Sequence, residues 1–138
     1  MIDENAGLGW ALIGCGGAGR SHALGAVETN GVGVRAFYAT APGRAAFFAT
    51  EFGTRTAGLD EIFADPAIDI VSIATPHDTH SRLALDAFAA GKHVYLEKPM
   101  AMTTVECVQI AEAQRSSGKQ LMLNFSFRFS GAVREAKR

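Results

Sequence analysis

The fold turns on Trp10-Ala11-Leu12-Ile13-Gly14-Cys15-Gly16-Gly17-Ala18-Gly19-Arg20, an apolar run that enters a cluster of glycines. Gly14, Gly16 and Gly19 stand in G-x-G-x-x-G spacing. A chain this rich in glycine carries such a triplet by chance roughly one time in six, so the spacing alone says little. Its position says more. The triplet follows the first apolar run and opens a stretch through Ala18, His22, Ala26 and Glu28 that Asn30-Gly31 stops, which is where dinucleotide folds place their first strand-to-helix turn. At that turn Gly14 permits the tight bend, Gly16 lets backbone approach a pyrophosphate, and Gly19 lets helix and strand pack closely. Free N–H groups at the helix start then favour an anion.

Working outward, the chain alternates strand and helix. Val32 to Tyr38 reads as a second strand, and Pro42 opens a helix whose Ala45, Phe48, Ala49 and Phe52 share one face until Gly53. A short strand at Thr54 to Ala57 leads to one helical turn, Leu59 to Phe63, closed by Asp65-Pro66. Ile68 to Ala74 is almost wholly apolar, as expected of a central parallel strand covered on both faces. A helix from about Thr79 to Ala90 buries Leu83, Ala84, Ala87 and Phe88, and Gly91 caps it before the strand His93 to Leu96. Thr103 and Glu106 have capping-box spacing and start a helix expected to turn Val105, Val108 and Ala111 inward. It ends at Ser116-Ser117-Gly118, before a sixth strand, Gln120 to Phe125. With right-handed crossovers this is an α/β fold, a doubly wound parallel sheet of order 3-2-1-4-5-6. Residues 1–125 form the dinucleotide-binding domain, and 126–138 begin a crossover out of it.

Composition agrees and excludes alternatives. The 138 residues are 48% hydrophobic and 20% charged, enough for one domain with its own core. Thirteen Lys+Arg against 14 Asp+Glu leave a net charge of -1 and no basic footprint for nucleic acid. Cys15 and Cys107 form neither a CxxC nor a Cys/His cluster, so no metal site or disulfide framework is expected. The opening Met1 to Asn5 is acidic where a signal peptide is basic, and no apolar run is long enough for a membrane span, so a cytoplasmic location without membrane contact is expected.

Around the glycine turn, Cys15 reads as a small loop residue and Arg20 as either a phosphate partner or a solvated charge. The acid that binds the adenosine ribose belongs about 20 residues on, at the end of the second strand. That window reads Tyr38-Ala39-Thr40-Ala41, with no carboxylate and with Arg44 nearby. A 2′-phosphate would meet no repulsion there, which tilts the cofactor expectation from NAD toward NADP. Ala74-Thr75-Pro76-His77-Asp78-Thr79-His80 and Gly91-Lys92-His93-Val94-Tyr95-Leu96-Glu97-Lys98-Pro99 close the two central strands. In an open α/β sheet the ligand crevice lies at such carboxyl ends, so His80, Glu97 and Lys98 should converge there.

With these segments the sequence resembles the glucose-fructose oxidoreductase, inositol dehydrogenase and MocA family (Gfo/Idh/MocA). The matching features are Gly14-Cys15-Gly16-Gly17-Ala18-Gly19-Arg20, the T-P-x-x-x-H of Thr75 to His80, Ala90-Gly91-Lys92-His93-Val94, Glu97-Lys98-Pro99 and Arg128-Phe129. The resemblance implies that the glycine loop, Thr75, Pro76 and His80 line the cofactor cleft and that Glu97 helps hold the nicotinamide end. It also implies that Lys98 is the catalytic lysine, placed where cofactor meets a carbohydrate-like substrate. His77 stands where asparagine is frequent and is either a cofactor contact or an exposed loop residue; His80 is a cleft residue or a helix-start cap. His93 reads as structural, and His22 as packing or solvent-facing. The resemblance implies a second α/β domain beyond these residues, so oxidoreductase chemistry with cofactor binding but little turnover is expected of these residues alone. A stand-alone nucleotide-binding or interaction module, or a homo-oligomer, is the other expectation.

Overall fold

A computed structural model describes residues 7–137. The acidic Met1 to Asn5 segment and Arg138 lie outside the described residues. Six parallel strands form one sheet: β1 (Leu8–Ile13), β2 (Val32–Tyr38), β3 (Arg55–Thr56), β4 (Ile70–Ile73), β5 (His93–Glu97) and β6 (Leu121–Asn124). Their order is β3-β2-β1-β4-β5-β6, the order the sequence predicts. The helices are α1 (Gly17–Glu28), α2 (Pro42–Glu51), α3 (Leu59–Ala64), α4 (His80–Ala89), α5 (Thr104–Ser117) and α6 (Gly131–Ala136). The chain reverses direction across the sheet between β1 and β4, which leaves the crevice at their carboxyl ends.

Alternation along the strands divides the core into two layers. Ala11, Ile13, Val71, Ile73, Val94 and Leu96 pack with Leu83, Phe88 and Ile110 on one face. Trp10, Leu12, Val34 and Phe37 pack with Ala23, Ala26, Phe48 and Ala49 on the other. Phe37 is fully buried and meets Phe48 and Phe52 at ring separations of 5.6 Å, a contact that fixes α2 over β2.

Two local readings change. Val105 and Val108 are 67% and 49% exposed, whereas Ile110 is fully buried. The capping box forms as expected, with Glu106 N–H donating to Thr103 Oγ1 at 3.2 Å and Thr103 N–H to Glu106 Oε2 at 3.0 Å. Positions 107, 110, 111 and 114 form the more buried stripe of α5, and Val105 and Val108 fall outside it. The expected central strand is also shorter. Asp69 is drawn into a hydrogen-bond pair with Gly9, accepting its N–H on Oδ2 at 2.8 Å and donating its own N–H to the Gly9 carbonyl at 2.8 Å.

Lys92 is buried, at 6% exposure. Its ammonium donates to the carbonyls of Asp65, at 2.7 Å, and Ile68, at 2.8 Å. The lysine thus closes the loop before β4 against the start of β5, and its charge is held by oriented backbone dipoles.

Candidate functional site

The crevice opens where β1 hands over to α1. Gly14 has φ +106°, and a Cβ there would lie 2.4 Å from the Ala74 carbonyl oxygen, so both the turn and the neighbouring strand demand glycine. A Cβ on Gly19 would lie 2.0 Å from the Gly14 carbonyl oxygen, which ties helix to turn at contact distance. Gly16 and Gly17 differ: a Cβ on either would meet nothing within 4 Å, because they border open space. No side chain caps α1, and no carboxylate lies in its first turn. Its first-turn amides therefore lack an internal acceptor and face the crevice side of the loop.

This crevice encloses about 570 Å³ and is lined by the glycine loop, by Tyr38 to Ala41 and Arg44, and by Ala74, Thr75, Pro76, Thr79 and Arg82. Its size suits a cofactor site. A larger depression of about 770 Å³ lies beside α1 over β4 to β6, lined by Trp10, Ile70, Tyr95 and Met122. That one is a stretch of sheet left without a helix over it and offers no helix-start amides. The smaller crevice carries the chemistry a diphosphate requires. Bare glycine, uncapped amides and nearby arginines together fit a dinucleotide.

Individual residues take definite places. Cys15 is buried, donates weakly from Sγ to the Tyr38 carbonyl at 3.5 Å, and burial pushes its thiol up to about 11 despite the Arg44 charge nearby. It therefore stays a thiol and serves as a loop residue. Arg20 pairs with Glu51 of α2, which leaves Arg44 as the arginine in the crevice wall at the end of β2. Thr75 Oγ1 lies 2.6 Å from Thr79 Oγ1, bracing the loop after β4. Pro76 and His77 are exposed on that loop, and the His77 ring is 5.7 Å from that of His80. Gln120 N–H donates to His93 Nδ1 at 3.0 Å, which gives His93 a place between β5 and β6.

His80 and Glu97 sit differently from a ligand-facing reading. His80 is fully buried, with Nδ1 2.7 Å from the Pro99 carbonyl and Nε2 3.0 Å from the Thr75 carbonyl. It stands behind the cleft wall between the loops after β4 and β5, with a backbone carbonyl of each facing one of its ring nitrogens. The Glu97 carboxylate turns into the protein. Oε1 accepts from Asn124 Nδ2 at 2.6 Å and faces His22 Nε2 at 3.1 Å, and Oε2 accepts the Lys98 backbone N–H at 3.0 Å. Burial alone would raise the Glu97 pKa, but the hydrogen bonds from Asn124 and His22, the His22 charge and the Lys98 amide outweigh it and hold the carboxyl below its usual range. Lys98 itself is exposed at the carboxyl end of β5.

Sequence reasoning missed His22, Ser72 and Asn124. His22 is 6% exposed, with Nδ1 2.7 Å from Ser72 Oγ and its ring 4.6 Å from that of Tyr95. A signal was present: with Ala23 and Ala26 it lies on the buried stripe of α1, and a histidine on such a stripe requires polar partners. Those partners lie 50 to 102 residues away and could not be named without the fold.

Fold and crevice together define an NAD(P)-binding Rossmann domain. The family model described as oxidoreductase family, NAD-binding Rossmann fold (GFO_IDH_MocA) matches residues 8–125, and the chain belongs to that family. It is 35% identical over 127 residues to a 1,5-anhydro-D-fructose reductase of Ensifer adhaerens, covering 91% of this chain and 38% of the reductase. Biliverdin reductase of Synechocystis sp. PCC 6803, solved with biliverdin and NADP+, superposes with TM-score 0.86 at 30% identity over 94% of this chain and 41% of its own. Scyllo-inositol dehydrogenase of Lactobacillus casei, solved with NAD(H) and scyllo-inositol, gives TM-score 0.84 at 25% identity over 94% of this chain and 39% of its own. The chain thus spans about two-fifths of the length of these relatives. No helix of the described residues is long and apolar enough to cross a membrane.

Proposed function

We propose that these residues are the cofactor-binding part of an oxidoreductase that exchanges hydride with a sugar, polyol or related hydroxyl compound, with NADP(H) preferred over NAD(H). The carrying observation is the crevice: an open cradle at Gly16 and Gly17, uncapped helix amides, and Arg44 beside Thr40 with no carboxylate in the wall. Gly14 to Gly19 would hold the diphosphate, and Thr75 and Pro76 would line the path from it toward the end of β5. Arg44 would face a 2′-phosphate, the role an arginine plays where the ribose acid is missing. When bound, the nicotinamide gives or accepts the hydride.

Lys98 supplies the polar group at the reacting end. Its ammonium can donate to a substrate hydroxyl or carbonyl oxygen and stabilise the negative charge that gathers there as hydride moves. A polyhydroxylated substrate is supported by the names of two of the relatives, a 1,5-anhydro-D-fructose reductase and a scyllo-inositol dehydrogenase.

Calorimetric titration of the 138-residue chain with NADPH and NADH tests the cofactor half. NADPH is expected to bind at least about tenfold tighter, and Arg44→Ala to remove most of that margin, since one such ion pair corresponds to about 1.4 kcal/mol. NADH binding as tightly as NADPH would overturn the preference; no binding of either at millimolar concentration would overturn the cofactor reading. For Lys98, Lys98→Ala in a full-length enzyme carrying this domain is expected to lower kcat by about a hundredfold while affinity for the adenosine and diphosphate half of the cofactor is unchanged. Retained turnover in that variant refutes the role.

A further inference from the structure

The Glu97 carboxylate, on the last residue of β5, spends its hydrogen bonds inside the protein. Oε2 grips the N–H of the next residue, Lys98, at 3.0 Å. Oε1 is gripped in turn by Asn124 Nδ2 at 2.6 Å and by His22 Nε2 at 3.1 Å. His22 is locked at its far side, where Ser72 Oγ lies 2.7 Å from Nδ1. A neutral ring that donates from Nε2 to the carboxylate and accepts the Ser72 hydroxyl at Nδ1 fits these contacts. Burial favours that neutral ring, since it lowers the His22 pKa more than the neighbouring carboxylate raises it.

The geometry points to a two-sided brace in which His22 and Asn124, acting through Glu97, are positioning residues for the Lys98 segment. His22 comes from α1, the helix that opens the phosphate cradle, Ser72 from β4 and Asn124 from β6. On the opposite face of the sheet, His80 of α4 holds the Pro99 carbonyl at 2.7 Å. The Lys98-Pro99 pair is thus held by its leading N–H from one side and its trailing carbonyl from the other. A lysine side chain has a flexible four-carbon stem, so its ammonium can be placed reproducibly only if the backbone beneath it is fixed. The assignment of function to this brace rests on the reading of Lys98 given above.

Two measurements on the 138-residue chain test it. The first is amide hydrogen exchange by NMR, which needs no ligand. Asn124→Leu and His22→Ala should each speed exchange of the Lys98 amide at least about tenfold while the amides of β1 are unchanged, because the carboxylate is released from its donors. His22→Gln, which restores an N–H toward Glu97, should recover most of the protection. If Lys98 exchange is unmoved in Asn124→Leu, a partly exposed site chosen in case His22→Ala does not fold, the brace is overturned whatever the cofactor. The second compares NADPH with 2′-phospho-ADP-ribose, which lacks the nicotinamide. A selective loss, about fivefold or more for NADPH and within twofold for the shorter ligand, supports positioning at the reacting end. Equal loss of both, or of neither, overturns it in favour of a role in folding alone. If the unmutated chain binds neither ligand, the cofactor reading fails, and the functional role of the brace with it, while the exchange data still report whether Glu97 holds Lys98.

Discussion

The glycine turn after β1 and the end of β5 are built from different material. At the phosphate end the working surface is backbone: Gly14 and Gly19 are fixed by contacts under 2.5 Å to any added Cβ, and Gly16 and Gly17 leave the space into which a ligand would enter. At the end of β5 it is a chain of side chains, His22, Ser72, Glu97, Asn124 and His80, gathered from five elements around the Lys98-Pro99 dipeptide. The first does its work with backbone, and its Gly14 and Gly19 tolerate almost no change of residue type. The second is spread over distant positions, so each member can be removed singly, and it responds to pH. Rigidity obtained from backbone is local and absolute; rigidity obtained from side chains is shared and conditional.

The largest effect should come from exchanging the two kinds of glycine. Gly19→Val places carbon 2.0 Å from the Gly14 carbonyl oxygen and is expected to cost about 3 kcal/mol or more, read as loss of a cooperative urea transition near room temperature. Gly16→Val, in open space, should leave the urea midpoint nearly unchanged while weakening NADPH binding about tenfold or more. A Gly16 variant that unfolds, or a Gly19 variant that melts normally, would break the distinction.

Lys92 sharpens the comparison, because it is a side-chain brace with no part in the crevice. Lys92→Met removes two charge-assisted bonds, those to the carbonyls of Asp65 and Ile68, for an expected loss of about 2–3 kcal/mol in urea unfolding. Affinity for NADPH should follow only the fraction folded.

The smallest effect is the pH response of the reacting end. The folded pKa of His22 lies below its ordinary 6.5, so the unfolded chain takes up the proton first as pH falls. Its contribution is full above pH 6.5 and is lost progressively below it. Glu97, held below its ordinary 4.5, adds a second loss of the same sign below pH 4.5. Around the ring stand Glu97, Tyr95, Ser72 and Asn124, among which Glu97 opposes the His22 shift without reversing it. Melting temperature should therefore fall between pH 7.5 and 5.5, and His22→Gln should flatten that slope. A slope equally steep in His22→Gln would assign the loss to other groups.

Legibility in the sequence follows the same division. The strand order and the glycine turn could be read because each rests on residues within one or two elements: period-two alternation, a capping box, a glycine triplet between strand and helix. Val105 and Val108 were misplaced because an amphipathic stripe in α5 is a matter of phase, and two valines at i, i+3 suggest a face that Ile110 and its neighbours in fact occupy. Motif spacing points to Glu97 and His80 as site residues, and in the structure the His80 ring faces the Thr75 and Pro99 carbonyls while the Glu97 carboxylate faces His22, Asn124 and the Lys98 amide. Motif spacing records that a residue matters at a strand end without recording which way it turns.

By itself the sequence determined the doubly wound sheet, the position of the glycine turn and the lack of a carboxylate at the end of β2, since backbone geometry ties each of these to a residue type at a fixed local offset. Only the tertiary structure decided what His22, Asn124 and Lys92 do and which arginine faces the end of β2. Those roles depend on buried polar groups finding donors and acceptors across the sheet, and the partners are chosen by packing instead of by distance along the chain.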